Sequence, residues 1–394
     1  MAARPVKPWE APFAGLLTIA LIAQTLRPRP TLFANYTYFG QSLLRGHLWI
    51  DNWPGPRIDA VLYRGHYFIV NDPVPGFLMV PFVKFWGLHA SQALLGVILA
   101  GVAIGATWKL LANLGASVST SIWLSAFLLL GTDLWWCTSL SDVWFLAQTS
   151  AVAFTMLTLL ELSGKNRPWL VALWFVLAIG SRFTLVMATP VILWLVLRGG
   201  LVTERHFNAR RAIWLAAVFV PAVALWVAYN EARWGVPWDS GHTIFYHQDL
   251  YAGSATGSPF SFANVPYQLW SFLIQYPRLF PRYPFLVPRY SGLALTWSSP
   301  ALLCAFFARR PREIVVAMWV ATVLVAIPSL LYFVNGYSQF GMRHALDFEP
   351  FLLVLMTLYL RERFPLWAKV LFVYSLAVGA WGVWFWRVFY RVNS

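Results

Sequence analysis

Charge is scarce in this sequence: only 11% of its 394 residues are Asp, Glu, Lys or Arg, against about 25% in an average soluble domain. With so little polar surface the chain has no means of covering a water-facing globule, and 59% of its residues are hydrophobic at a mean hydropathy of +0.61. Cysteine is nearly missing. Cys137 and Cys304 both fall in or beside apolar runs, which excludes a disulfide framework and a thiolate metal cluster. Acids are the rarer sign, 15 against 29 Lys and Arg, for a net charge of +14. The bases are scattered among short loops instead of gathered on one soluble face, so nucleic acid is excluded as a partner. Membrane topology and contacts with anionic lipid or phosphate account for them. No small-residue cleavage site follows MAARPVKPWE, and the first apolar stretch reads as a retained span. There is no internal repeat, low-complexity tract or soluble domain, so residues 1–394 read as one transmembrane domain.

Long apolar runs are what the chain has in abundance. They fall near 11–27, 91–113, 117–132, 143–162, 168–182, 184–198, 212–230, 291–308, 314–333, 348–361 and 367–387. In hydrocarbon the backbone must satisfy its own hydrogen bonds, so these runs predict an all-α, polytopic helical bundle of about ten or eleven spans. The 23 Trp and 16 Tyr suit interfacial belts. A cytoplasmic N-terminus places Lys165 and Arg167, Arg198, Arg205, Arg210 and Arg211, Arg309, Arg310 and Arg312, and Arg361, Arg363 and Lys369 inside. That is the distribution the positive-inside rule asks for. The same topology sends all eight Asp (51, 59, 72, 133, 142, 239, 249 and 347) and six of seven His outside, leaving Glu10, Glu161, Glu204, Glu313 and Glu362 inside beside bases. Polar chemistry segregated in this way predicts an outward-facing site.

Two outer segments exceed simple connections, 28–90 and 231–290. Their aromatic and apolar content argues against disorder. GFLMVPFVKFWG (76–87) is too short to cross and reads as an interfacial helix with Lys84 reaching the headgroups. The first outer loop carries Asp51, Asp59 and Asp72 with Arg57, Arg64, His47 and His66 between them. A carboxylate beside a membrane groove suits proton abstraction from an acceptor, and neighbouring Arg side chains suit phosphate. Asp51 and Asp72, next to Asn and Pro, also fit turns, whereas Asp59 sits in the apolar stretch IDAVLY.

Arg182 interrupts an apolar run, where a cation must be paired, snorkel or meet a ligand such as a phosphate. Arg343, His344 and Asp347 would share a face on a continuing helix, with an Arg343–Asp347 pair. Gln339 and Tyr337 bring hydrogen-bonding groups suited to sugar hydroxyls. In the second outer loop, His242 and His247 with Asp239 and Asp249 lack the spacing of a helical zinc pair and any soft ligand, so no metal is assigned. YPRLFPRYPFLVPRY (276–290) interleaves Arg278, Arg282 and Arg289 with aromatics, as an interfacial anchor or a cover over a lipid-facing groove.

The order of motifs in the first loop, LLRGHLWID, then D-x5-G-x-Y ending at Tyr67, then P-x-P-G and an apolar helix ending FWG, resembles bacterial GT-C glycosyltransferases. SDVWFLAQTSAVAF (141–154), LAIGSRFTLVMATP (177–190) and NGYSQFGMRHALDFEPFL (335–352) continue the resemblance in order. Those polytopic enzymes use polyprenyl-phosphate-linked sugars and include relatives of protein O-mannosyltransferases and lipid A aminoarabinose transferases. The resemblance implies a plasma-membrane enzyme with an extracytoplasmic site, a polyprenyl-phosphate-linked sugar as donor, and a glycan, lipid or protein acceptor. It further implies Asp59, or Asp51 second, as base; Arg57, Arg64, Arg182, Arg289 and Arg343 on the donor phosphate; and His66, Tyr67, Gln339 and Asp347 near sugar or acceptor. Protein cations make a metal dispensable, although the chemistry leaves room for a divalent ion. Family members often carry an acid just after the first span, and here that stretch is Phe33-Ala34-Asn35-Tyr36. The departure leaves a non-catalytic subunit as the alternative; a lipid-linked-sugar flippase is disfavoured by the absence of repeated halves.

Overall fold

Each apolar run forms helix in the computed structural model, which describes residues 4–26, 31–202, 208–248, 258–336 and 339–392. Glu204, Arg205, Asp249 and Tyr337, singled out above, lie outside the described residues. The order begins with α1 (Glu10–Ala23), α2 (Asn35–Leu44), the hairpin β1 (Ala60–Tyr63) and β2 (His66–Ile69), and α3 (Val74–Trp86). It continues through α4 (Gln92–Asn113), α5 (Val118–Leu130), α6 (Leu134–Leu140), α7 (Val143–Ser163), α8 (Pro168–Ile179), α9 (Thr189–Arg198), α10 (Arg210–Trp234), α11 (His242–Gln248) and α12 (Val265–Leu273). A short hairpin, β3 (Arg278–Leu279) and β4 (Leu286–Val287), precedes α13 (Leu295–Ser298), α14 (Arg312–Leu331), α15 (Glu349–Leu360) and α16 (Leu366–Val392).

Among the described residues, α4, α7, α10, α14 and residues 366–388 of α16 are each long and apolar enough to cross a membrane, and α5 with α6, bent by 47°, has the geometry of a broken span or a re-entrant loop. The remaining apolar helices, α1, α8, Phe183–Arg198 and α15, are shorter. The chain is a multi-pass helical membrane protein. The 168–198 run divides at Gly180, Ser181 and Arg182, where Arg182 is extended (φ −149°, ψ 103°) and a 3₁₀ turn, Phe183–Ala188, follows. Breaking the helix there removes a cation from a continuous apolar cylinder.

Close helix approach relies on small residues. Where α1 crosses α4, a Cβ on Gly15 would stand 2.8 Å from the Gly101 carbonyl oxygen, and one on Gly101 2.7 Å from Ile19 Cγ1. Such backbone proximity replaces the hydrophobic drive that lipid does not supply. Gly101→Val is expected to push α1 off and lower stability by about 1–3 kcal/mol, read as a fall in thermal midpoint in nanodiscs; an unchanged midpoint would refute the crossing.

The two ends of the bundle differ chemically. At one end Arg167 pairs with Glu161 (2.9 Å), Arg4 with Glu10 (3.0 Å) and Arg198 with Glu313 (3.8 Å). The other end gathers the first outer segment with the starts of α4, α7 and α15 and the ends of α8, α10 and α16. Gln92 ties Phe33, Tyr36 and Ser141 together there, and Arg233 donates to the Ile69 carbonyl. Residues 76–87 fall almost wholly in α3, which leaves Lys84, Phe85 and Trp86 exposed in its last turn. The hairpin between α2 and α3 adds a small strand element to the all-α plan. Its two-residue turn, Arg64-Gly65, has positive φ at both positions (49° and 81°), the geometry whose twist matches paired strands. Val61, Phe68 and Val70 then pack on Trp234 at the end of α10.

Candidate active site

Asp59 precedes β1 in a left-handed conformation (φ 52°) that non-glycine residues adopt at a cost. Its carboxylate is held from two sides. Asn71, just after β2, donates through Nδ2 to Oδ2 (3.0 Å), and Trp144 in the first turn of α7 donates to the same oxygen through its indole N–H. Both of these donors are neutral, and Asp59 as a residue is half-buried.

Next to it runs a chain of buried polar groups. Arg182 grips Asp347 with Nη2 at 2.8 Å and Nε at 3.2 Å from both oxygens, and Thr184 Oγ1 adds a third donor at 2.8 Å. Asp347 is 1% exposed and removed from water, while the Arg182 side chain keeps 19% exposure. His344 Nδ1 lies 3.3 Å from Arg182 Nη2. On the adjoining side Arg343 is buried against the ring of Phe145, 5.4 Å to the centroid, with Nε donating to Gln339 Oε1 (2.7 Å). Among the described residues no carboxylate lies within ion-pair distance of Arg343 and no hydrogen bond engages its terminal nitrogens. The two guanidiniums are therefore inequivalent: Arg182 is paired with Asp347, whereas Arg343 donates to the neutral amide of Gln339.

Asp72 and Tyr36 complete the surround. Asp72 accepts from the Phe183 amide (3.0 Å) and feels the charge of Arg182. It is reachable by solvent yet enclosed by protein, as on the wall of a crevice, and burial raises its carboxyl to about 6 against the opposing pull of Arg182 and the amide. The Tyr36 hydroxyl is buried without a hydrogen-bond partner among the described residues, and burial first, then Asp72, pushes its ionisation well above the usual tyrosine range. Tyr36 feels the charges of Asp72, Arg182 and Asp59.

Because the folded-state value of Asp72 is raised, the folded chain binds more protons than the unfolded chain between about 4 and 6. Stability from this group falls as pH rises through that window, and its cost is complete above 6. Asp72→Asn is thus expected to raise the thermal midpoint at pH 7.5 and to have no such effect below pH 4. A lowered midpoint at pH 7.5 would contradict the burial of this carboxyl.

Four residues singled out from sequence converge here: Asp59, Arg182, Arg343 and Asp347. Gln339 holds Arg343 in place, its own amide donating to Ser291 and Asn335 carbonyls at 2.8 Å each. The expected Arg343–Asp347 pair does not form. Residues Arg343–Asp347 are a 3₁₀ helix, where three residues per turn take positions four apart off a common face, and Asp347 pairs with Arg182 instead.

The hairpin group stands apart. Asp51 is exposed between His47 (3.6 Å) and His66 (3.3 Å), with Trp49 donating at 2.9 Å. Arg57 lies over the Tyr67 ring and Arg64 over Tyr63, while Tyr67 bridges the backbone of Ile50. Arg289 sits on Tyr276, with Nε donating to its carbonyl (2.9 Å). Among the described residues no group of three or more His, Cys, Asp or Glu is placed to hold a metal ion; His242 lies against Ser240 (2.6 Å). Sequence reading passed over Tyr36, Asn71 and Trp144, and Asp72 reads equally well as the turn residue before Pro73.

No protein-family model matches the chain, and no curated protein matches it. Solved structures do. ArnT from Cupriavidus metallidurans, crystallised with undecaprenyl phosphate, superposes over 94% of this chain and 62% of its own, at 12% identity and a TM-score of 0.52. The apo oligosaccharyltransferase of Archaeoglobus fulgidus covers 97% and 56%, at 10% identity and a TM-score of 0.47. AglB from the same organism, with an inhibitory peptide and a dolichol-phosphate, covers the same shares at 12% identity and a TM-score of 0.43. The chain spans less than two thirds of the length of these structures. At such identity the likeness is one of fold: the chain shares the polytopic helical membrane fold of ArnT.

Proposed function

We propose that the protein is a membrane glycosyltransferase that moves a sugar from a polyprenyl-phosphate carrier to an extracytoplasmic acceptor. What supports the reading is an oriented, half-buried carboxylate, Asp59, whose charge acts on a buried guanidinium, Arg343, that no carboxylate among the described residues reaches at ion-pair distance. Asp59 takes the proton of an acceptor hydroxyl as that oxygen attacks the anomeric carbon. The bond from that carbon to the phosphate oxygen breaks, and Arg343 receives the charge left on the leaving phosphate. Positive charge fixed in place at a leaving group usually lowers the barrier to such a transfer more than proton abstraction does. Inversion at the sugar carbon follows from the family resemblance. Arg182 and Asp347 act as a fixed pair that sets the 3₁₀ turns on either side.

The acid missing after the first span finds a replacement in space. Asn35 donates through Nδ2 to the Ile58 carbonyl (2.9 Å), one residue before Asp59. That contact at the start of α2 supports reading Asp59 as the stand-in for the acid that relatives often carry there. In this reading the N-terminus is cytoplasmic, the crevice opens outside the plasma membrane, and ArnT's capture of undecaprenyl phosphate supports a polyprenyl-phosphate donor.

Binding tests Arg343 directly. Hydrogen bonds to a charged group contribute about 1.5–3 kcal/mol, so Arg343→Gln is expected to weaken binding of polyprenyl phosphate to nanodisc-held protein by about tenfold or more. Arg312→Gln, exposed at the start of α14, should leave it unchanged. Equal affinity of Arg343→Gln and the parent protein would remove Arg343 from the phosphate site.

A further inference from the structure

The β3–β4 hairpin lies outside the crevice, and the proposed transfer makes no use of it. Its strands pair Arg278 with Val287 and Leu279 with Leu286, and the Phe280 amide closes the tip on the Phe285 carbonyl (2.8 Å). A loop destined for water would put polar residues here. Instead Leu279 is 78% exposed, Tyr283 66% and Phe285 57%, with Phe280 and Leu286 also open. A contiguous apolar surface of this kind marks an interaction site.

Charge and position narrow the partner. Arg278 and Arg282 are exposed beside the apolar tip, and Arg289 stands at its base. No Asp or Glu occurs anywhere from residue 250 to 312, so nothing local offsets these cations. The hairpin base is fixed to the Asp-bearing end of the bundle. Gln275 bonds Ser291 (2.9 Å) and the Gly292 carbonyl, and the Tyr290 ring meets Trp386 edge-on, 6.3 Å between centroids. Nearby stand exposed Trp384 and Arg387 at the end of α16 and exposed Leu273 and Ile274 at the end of α12. Helix ends carrying exposed Trp and Arg lie at the boundary between hydrocarbon and headgroups.

We propose that the hairpin is a membrane anchor: its Leu279–Phe285 tip inserts among the lipids at this end, and Arg278, Arg282 and Arg289 bind anionic phospholipid headgroups. A zwitterionic surface satisfies the apolar tip alone; the uncompensated cations select negative lipid. The proposal is independent of the transferase reading.

Two measurements test it on the full chain in nanodiscs. Cys137 and Cys304 are buried, so Tyr283→Cys accepts a polarity-sensitive fluorophore at the tip. A nitroxide on the lipid headgroup region is expected to quench it strongly and aqueous iodide weakly. The reverse pattern would mean that the hairpin projects into water or toward another protein, and overturns the proposal. Retention of phosphatidylglycerol over phosphatidylcholine, read by native mass spectrometry, is expected to fall by about fivefold for each of Arg278→Gln, Arg282→Gln and Arg289→Gln. Unchanged retention in the triple variant, with its thermal midpoint intact, would overturn the headgroup assignment.

Discussion

Asp59→Asn is expected to reduce sugar transfer by about 10²–10⁴-fold while leaving binding of polyprenyl phosphate within twofold or so of the parent protein. The amide has the same shape and still accepts from Asn71 and Trp144, so the hairpin and the crevice should persist. What it loses is the capacity to take a proton. Asp51→Asn makes the sharpest comparison, because Asp51 lies in the same segment but is occupied on the exposed face by His47, His66 and Trp49. It is expected to retain transfer within a few-fold. Activity that survives Asp59→Asn and falls in Asp51→Asn would move the base to the hairpin face.

The largest effect on stability is expected at the Arg182–Asp347 pair. Removing one partner of a buried ion pair leaves the other charge without compensation, at a cost of about 3–5 kcal/mol. Arg182→Gln strands Asp347, which is 1% exposed and would keep only Thr184 as a donor. Asp347→Asn strands Arg182, with Asp72 the nearest remaining opposing charge. The double variant Arg182→Gln with Asp347→Asn should recover much of either loss, since two neutral amides can bond each other. Thermal midpoints of the parent, the two single variants and the double variant close the cycle, and simple additivity would contradict direct pairing. Arg343→Gln, which breaks no ion pair at contact distance among the described residues, should change the midpoint far less than Arg182→Gln.

Much of this was legible in the sequence, for reasons that separate by range. The helices are written in runs of apolar residues, and lipid permits few other outcomes. Their breaks are partly written: Arg182 inside an apolar run announces that something must interrupt or pair it. The partner was not legible, because Asp347 is 165 positions away and sits in a 3₁₀ turn whose residues read equally well as α-helix. Asp59 stood out because its neighbours are apolar. Asp72 was hidden by Pro73, which makes any preceding Asp look like a turn residue. Arg57 and Arg64 drew attention by clustering near Asp59, yet a two-residue turn sets Arg64 at the far tip of the hairpin and Arg57 packs on Tyr67.

Turnover of the donor tests the central claim most directly. Purified protein in liposomes would be given a panel of labelled polyprenyl-phosphate sugars with an extract of envelope acceptors, following release of free polyprenyl phosphate. The predicted result is release with one donor, matched by a new glycosidic bond and abolished in Asp59→Asn. Intact donors across the whole panel, with the protein folded and binding polyprenyl phosphate, would contradict a transferase and leave a lipid-binding subunit in its place.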